Sequence, residues 1–279
     1  MRMAGPEVTV TGSPGDSDYV RVDHRGDVAV VTLDHQPDRN ALSWAMTRAL
    51  SWAVAAIQAE GRAGALVVAS AGPVFCAGGS VDDLLEPKAP LEAMYAGFEA
   101  IAESALPTVA AVNGPALGAG MNVALACDLI VCTPSARFET RFLDVGLHPG
   151  GGHLWHLRQR MGRQGAAAMA LFGASVGGEE AVRRGLAWQC VEEERVLETA
   201  VALAARAAGL DRPLVARTRA TLDEGAGVHR MPDALALELA PQQWSMRRPE
   251  FASKLGLLRE RLGRRDEPRQ ESAPGASEV

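Results

Sequence analysis

Pro73-Val74-Phe75-Cys76-Ala77-Gly78-Gly79-Ser80-Val81-Asp82-Asp83-Leu84 is the stretch whose reading decides the fold. A second stretch follows about 35 residues on: Ala110-Ala111-Val112-Asn113-Gly114-Pro115-Ala116-Leu117-Gly118-Ala119-Gly120-Met121-Asn122, then Ala124-Leu125-Ala126-Cys127-Asp128. Each is an apolar β-type run that breaks into small residues and resumes as a helix. Small residues at such a junction let a ligand approach the backbone, and the free N–H groups of a helix start favour negative charge. Two such turns converging on one carbonyl oxygen would form an oxyanion hole, a large term in thioester catalysis. A single turn of this kind would more often be a phosphate loop or a plain turn. The pair, in this order and spacing, is far more specific.

Outward from these turns, strands alternate with helices. Val28–Leu33 reads as a strand, and Ser43 caps an amphipathic helix running to about Ala59. Ala65–Ser70 is a strand entering the first turn. Pro90–Ser104 reads as helix, Thr108–Asn113 as strand, Gly120–Cys127 as helix, Asp128–Cys132 as strand, and Ala136–Phe138 as a brief pairing segment. Gly152–Met161 and Gln164–Phe172 read as two helices. A helical turn runs from Ser175 through Arg184, Leu186–Val191 is a late strand, and from about Glu193 the pattern is helix only. The sum is an α/β core followed by an α-helical region. Residues 1–17 form a flexible lead, 18–210 the core, 211–263 the helical region, and 264–279 a charged tail.

Composition narrows the function classes. At 47% hydrophobic and 22% charged residues the chain fits a soluble globular protein with a substantial core. The net charge of −6, with no basic run, argues against nucleic acid as a partner. No apolar run approaches ~18 residues, which argues against a membrane span, and the first residues lack a signal-type core. Cys76, Cys127, Cys132 and Cys190 sit in apolar stretches without CxxC spacing, as buried reduced thiols of a cytoplasmic protein.

The paired turns resemble the signature of the enoyl-CoA hydratase/isomerase (crotonase) superfamily. The resemblance runs from about Tyr19 to Arg261. It takes in Pro37-Asp38-Arg39-Asn40-Ala41-Leu42, Gly146-Leu147-His148-Pro149-Gly150-Gly151-Gly152, and Gly178-Glu179-Glu180-Ala181-Val182-Arg183-Arg184-Gly185-Leu186-Ala187. It implies a spiral of ββα units with a C-terminal α-helical trimerisation region, hence a homotrimer or a hexamer of two trimers. The substrate implied is an acyl-CoA or enoyl-CoA thioester, with coenzyme A as part of the substrate and no metal or redox cofactor.

By the same resemblance, the oxyanion N–H groups fall on Gly79 and Ala119. The two glutamates of family hydratases fall on Asn122 and Phe142, so both carboxylates are replaced. An amide orients water but takes no proton, and a phenyl ring does neither. The carboxylate position of dienoyl isomerases falls on Gly150. His148, Asp144 and His153 remain near the expected cavity, with His148 the first acid/base candidate because an imidazole titrates near neutrality. On the coenzyme side, Arg39 is placed near phosphate, with Ala41, Leu42 and Ala77 beside the nucleotide, and Arg261 reaches a phosphate from the last helix. A basic residue common three positions after the first oxyanion donor is replaced by Asp82. The expected function is thus hydratase/isomerase-type enolate chemistry. Its rivals are another reaction on the same hole through His148 or Asp144, and a non-catalytic acyl-CoA carrier.

Overall fold

The computed structural model describes residues 19–263; the expected N-terminal lead and the expected tail lie outside the described residues. The chain opens with a hairpin. Strand β1 (Val20–Arg25) pairs antiparallel with β2 (Val28–Leu33) across a two-residue turn at Gly26 and Asp27, with Gly26 at φ 65°. Helix α1 (Trp44–Glu60) follows, its N-terminus capped by the Ser43 hydroxyl, which accepts from the Met46 N–H. Strand β3 (Ala65–Ser70) and the short helix α2 (Val81–Leu85) flank the first small-residue turn. The segment expected as one helix from Pro90 divides into a 3-10 turn, Leu91–Tyr95, and helix α3 (Ala96–Ala102).

Strand β4 (Thr108–Val112), strand β5 (Pro115–Leu117) and helix α4 (Ala119–Leu125) carry the second turn. Strands β6 (Leu129–Cys132) and β7 (Arg137–Glu139) come next, then helix α5 (His153–Phe172). The two helices expected here are the halves of α5, broken at Gly162, whose φ of 67° and ψ of 179° are non-helical. Strand β8 (Val176–Gly177), helix α6 (Gly178–Arg183), strand β9 (Gln189–Cys190) and helix α7 (Val196–Ala208) complete the core. Helices α8 (Arg212–Gly225), α9 (Met231–Met246) and α10 (Pro249–Gly263) form the C-terminal region. The chain divides into two compact units after Ala220, inside α8, ten residues beyond the expected boundary. The start of α8 stays with the core because Arg212 donates to the carbonyls of Gly61 and Arg62, and Arg219 binds Asp128.

The main sheet runs β1-β2-β3-β4-β6-β9, parallel throughout except for β1, and a small sheet runs β5-β7-β8. Strands covered on both faces read as continuous apolar runs, and β2 is buried at every position. One face (Ala29, Val31, Leu66, Val68, Ala110) packs under α1, α3 and α4. The other (Val28, Val30, Val67, Val109, Val131) meets the stripe Val196, Ala200, Ala204 and Ala208, which recurs every four residues along α7. Because β2, β3 and β4 are parallel, the segments that follow them all emerge at the same edge. Ligand crevices of open α/β sheets lie outside such carboxyl ends.

Asn40 locks these segments together. It is fully buried at φ 57°, a conformation Asn tolerates better than most residues. Its Oδ1 accepts from the His35 N–H at 2.8 Å, and its Nδ2 donates to the carbonyls of Ala71 (3.0 Å) and Val74 (2.9 Å). Asn40→Ala removes three bonds and strands partly buried backbone groups, so we expect a loss of about 3 kcal/mol. Urea denaturation checks this: an unchanged slope with a lowered midpoint is the expected result, and a shift below about 1 kcal/mol would contradict it.

Candidate functional site

The two small-residue turns are stitched together by parallel pairing. Cys76 donates its N–H to the Pro115 carbonyl at 3.1 Å and accepts at its own carbonyl from the Leu117 N–H at 3.0 Å. On the other side, Leu42 donates to the Gly78 carbonyl at 2.7 Å and accepts from the Ser80 N–H at 2.9 Å. In a pleated segment successive N–H groups alternate in direction, so the Gly79 N–H points away from Leu42. Among the described residues, neither the Gly79 N–H nor the Ala119 N–H donates a hydrogen bond. Ala119 is the first residue of α4. Gly118 before it takes φ 50° and ψ −123°, a conformation essentially reserved for glycine.

Leu42 is buried and both its backbone groups are spent on the turn, so its side chain belongs to the core and its backbone holds the loop. Arg39 is exposed at φ 52°, and its carbonyl accepts from the Ala77 N–H at 3.1 Å. Ala41 and Ala77 are partly buried beside it. Arg261 lies on α10, in the second unit. Asp82 is exposed, whereas its neighbour Asp83 is buried and accepts from the Trp44 N–H at 2.6 Å. Burial alone would raise the Asp83 pKa, but the Lys88 ammonium at 2.9 Å and the Trp44 N–H hold it below the usual carboxylate value.

Three cysteines are buried, and Cys190 is only partly covered. Cys76 is no nucleophile in this setting. Burial pushes its thiol pKa up to about 12, and the thiol donates to the Asn40 carbonyl at 2.9 Å.

The positions where the resemblance implies carboxylates hold a neutral hydrogen-bonded chain. Asn122 and Phe142 both meet His153, the first residue of α5. His153 Nδ1 lies 2.7 Å from Asn122 Oδ1, and the Phe142 ring stands edge-on to the imidazole at 5.0 Å. His153 Nε2 lies 3.2 Å from Thr140 Oγ1, and Asn122 Nδ2 donates to the Gly150 carbonyl at 3.0 Å. The amide oxygen only accepts, so Nδ1 carries the imidazole proton and Nε2 accepts from the Thr140 hydroxyl. His153 is 1% exposed and Asn122 2%. Burial, and then the neighbouring His156, push the His153 pKa down to about 4, so the ring is neutral at pH 7.

The expectation that His148 leads the acid/base candidates meets a different arrangement: His148 and Asp144 are both exposed, and His153 is the imidazole joined to Asn122. His156 is partly buried, its pKa also pushed down to about 4 by burial and then by Arg160. Tyr95, which had no signal in sequence, lies beside Gly150.

A parallel sheet feeding two stitched small-residue turns, each presenting an unspent N–H, defines an α/β class whose members are recognisable by comparison. The enoyl-CoA hydratase/isomerase family model matches residues 23–247. The chain belongs to the enoyl-CoA hydratase/isomerase family, within the crotonase superfamily. It is 39% identical over 246 residues to a probable enoyl-CoA hydratase of Mycobacterium tuberculosis, covering 84% of this chain and 94% of that protein. It is 31% identical over 186 residues to the 1,2-epoxyphenylacetyl-CoA isomerase of Escherichia coli, covering 63% and 71% of the two chains. Among solved structures, a putative enoyl-CoA hydratase from Streptomyces coelicolor A3(2) superposes with a TM-score of 0.81 at 30% identity, over 93% of this chain and 97% of that one.

The neutral chain makes stability depend on pH. The folded His153 pKa is about 4, against about 6.5 in an unfolded chain, so the folded state binds fewer protons between these values. Its contribution is complete above about pH 6.5 and is lost as pH falls towards 4, on the order of 3 kcal/mol. Urea midpoints at pH 7.5 and 4.5 should differ more in the wild type than in His153→Gln. Equal differences would contradict the neutral, buried imidazole.

Proposed function

We propose that this chain is an enzyme acting on acyl-CoA thioesters, holding the thioester oxygen and its enolate between the N–H groups of Gly79 and Ala119, and that water addition is not its main reaction. The observation that carries this reading is the Asn122–His153–Thr140 chain with Phe142 against it. Hydration of an enoyl thioester needs a base for water and an acid for the α-carbon. Here an amide, a neutral imidazole whose lone pair is already accepting, and a phenyl ring occupy those positions. Preorganised N–H donors still stabilise an enolate in a water-poor site. The reactions favoured are therefore those that move a proton within the acyl group, such as isomerisation, with no water consumed. Arg39, exposed beside the Ala77 segment, would meet a coenzyme A phosphate.

The test follows a panel of saturated and enoyl-CoA thioesters by mass, recording binding and turnover together. Binding with crotonyl-CoA hydration at least ~10²-fold below that of a hydratase with both glutamates is the expected outcome. Hydration at full hydratase rates would overturn the reading of Asn122 and Phe142.

The proposed assembly is a homotrimer, or a hexamer of two trimers. In the single chain the C-terminal helices leave Leu222, Leu235, Leu239 and Leu255 exposed, Leu222 by 73%. Apolar surface of this kind is ordinarily covered by a partner. Light scattering at micromolar concentration should give three or six times the chain mass of 29.4 kDa, and a monomer would contradict the proposal.

A further inference from the structure

We propose that the Tyr95 hydroxyl moves the proton in this site, exchanging it with the carbon of the enolate that Gly79 and Ala119 hold. The proposal rests on the acyl-thioester reading above and supplies the base which that reading lacks.

Position is the first observation. A Cβ built on Gly150 would lie 2.6 Å from the Tyr95 hydroxyl oxygen, so a side chain there would displace the hydroxyl from this position. Gly150 is not among the glycines with positive φ, so what a side chain there would disturb is the place of the hydroxyl and not the backbone. The second observation is what Gly150 is tied to. Its carbonyl accepts from Asn122 Nδ2 at 3.0 Å and from the His153 N–H at 3.3 Å, and Asn122 is three residues along α4 from Ala119. The hydroxyl is thus connected through one residue to the first turn of the helix bearing the second unspent N–H.

The third observation is that this hydroxyl is free. Among the described residues it makes no hydrogen bond, whereas the Asn122 oxygen, both His153 nitrogens and the Thr140 hydroxyl are engaged with one another. The ring is also held in place. It packs on Phe98 at 5.4 Å, and the 3-10 turn that ends at Tyr95 is pinned by the Thr47 hydroxyl donating to the Met94 carbonyl at 3.2 Å. A protic group that is anchored, unpartnered and tied through Gly150 and Asn122 to the helix that Ala119 begins suits proton transfer.

The step balances without a co-reactant. The tyrosinate form of Tyr95 takes a proton from the thioester α-carbon. The C–H pair becomes the enolate double bond, and the charge passes to the oxygen held by Gly79 and Ala119. Return of the proton from the hydroxyl to the same carbon restores the substrate, and return to the γ-carbon of an unsaturated chain shifts its double bond. Nothing is oxidised or reduced.

The experiment uses the full-length protein with butyryl-CoA in D2O. Deuterium entering the α-position is followed by mass, and binding of the same thioester by calorimetry. Wild type should exchange. Tyr95→Phe should exchange at least ~10²-fold more slowly and bind butyryl-CoA within about threefold of wild type. Gly150→Ala, whose methyl group takes the space of the hydroxyl, should slow exchange as well, which guards against an effect peculiar to Tyr95→Phe. Wild-type exchange by Tyr95→Phe, or a wild type that binds but does not exchange, overturns the role of Tyr95. A wild type that does not bind overturns the thioester reading, and this proposal with it.

Discussion

The interaction on which the site depends is the parallel stitching of the Cys76–Ser80 segment between Leu42 on one side and Pro115–Leu117 on the other. It is a miniature sheet added at the carboxyl ends of β2, β3 and β4. Its hydrogen bonds use alternate backbone groups, and alternation is what leaves the Gly79 N–H unspent. The same stitching fixes where β5 ends, and therefore where Gly118 must reverse the chain and Ala119 must begin α4. Asn40 and the Cys76 thiol lock the third segment onto the first. No charged side chain takes part, so the two donors are set by backbone geometry alone.

Around the donors the electrostatics are quiet. Asn122, His153, Thr140 and Phe142 form a buried chain that is fully satisfied without a net charge. Such a chain costs little to bury, whereas a pair of carboxylates in the same space would need water or cations to ionise. The Gly150 carbonyl, receiving bonds from α4 and from the start of α5, joins that chain to the turn beside Tyr95.

Much of this was legible in the sequence. The turns announce themselves because small residues interrupt apolar runs, and the strands on both sides are continuous because both faces of the sheet are covered. The break at Gly162 was readable in the same way, as a glycine between two helical patterns. Strand β1 was not read. Its Val-Arg-Val-Asp-His-Arg alternation is that of a half-buried edge strand, and the Gly26-Asp27 turn was the available signal. The partnership of Asn122 with His153 spans 31 residues and is created by the packing of α4 against α5. Sequence proximity to the glycine turn favoured His148, whose side chain is exposed. Tyr95 was hidden for a related reason: a lone tyrosine in a helical stretch carries no signal until its neighbour Gly150 is known.

The most direct test of the central claim is a crystal structure of the protein with a bound, unreactive acyl-CoA thioester. The account requires the thioester oxygen to lie within about 3.2 Å of both the Gly79 and the Ala119 nitrogen, with the acyl chain passing Gly150. An oxygen more than about 3.5 Å from both nitrogens would contradict it.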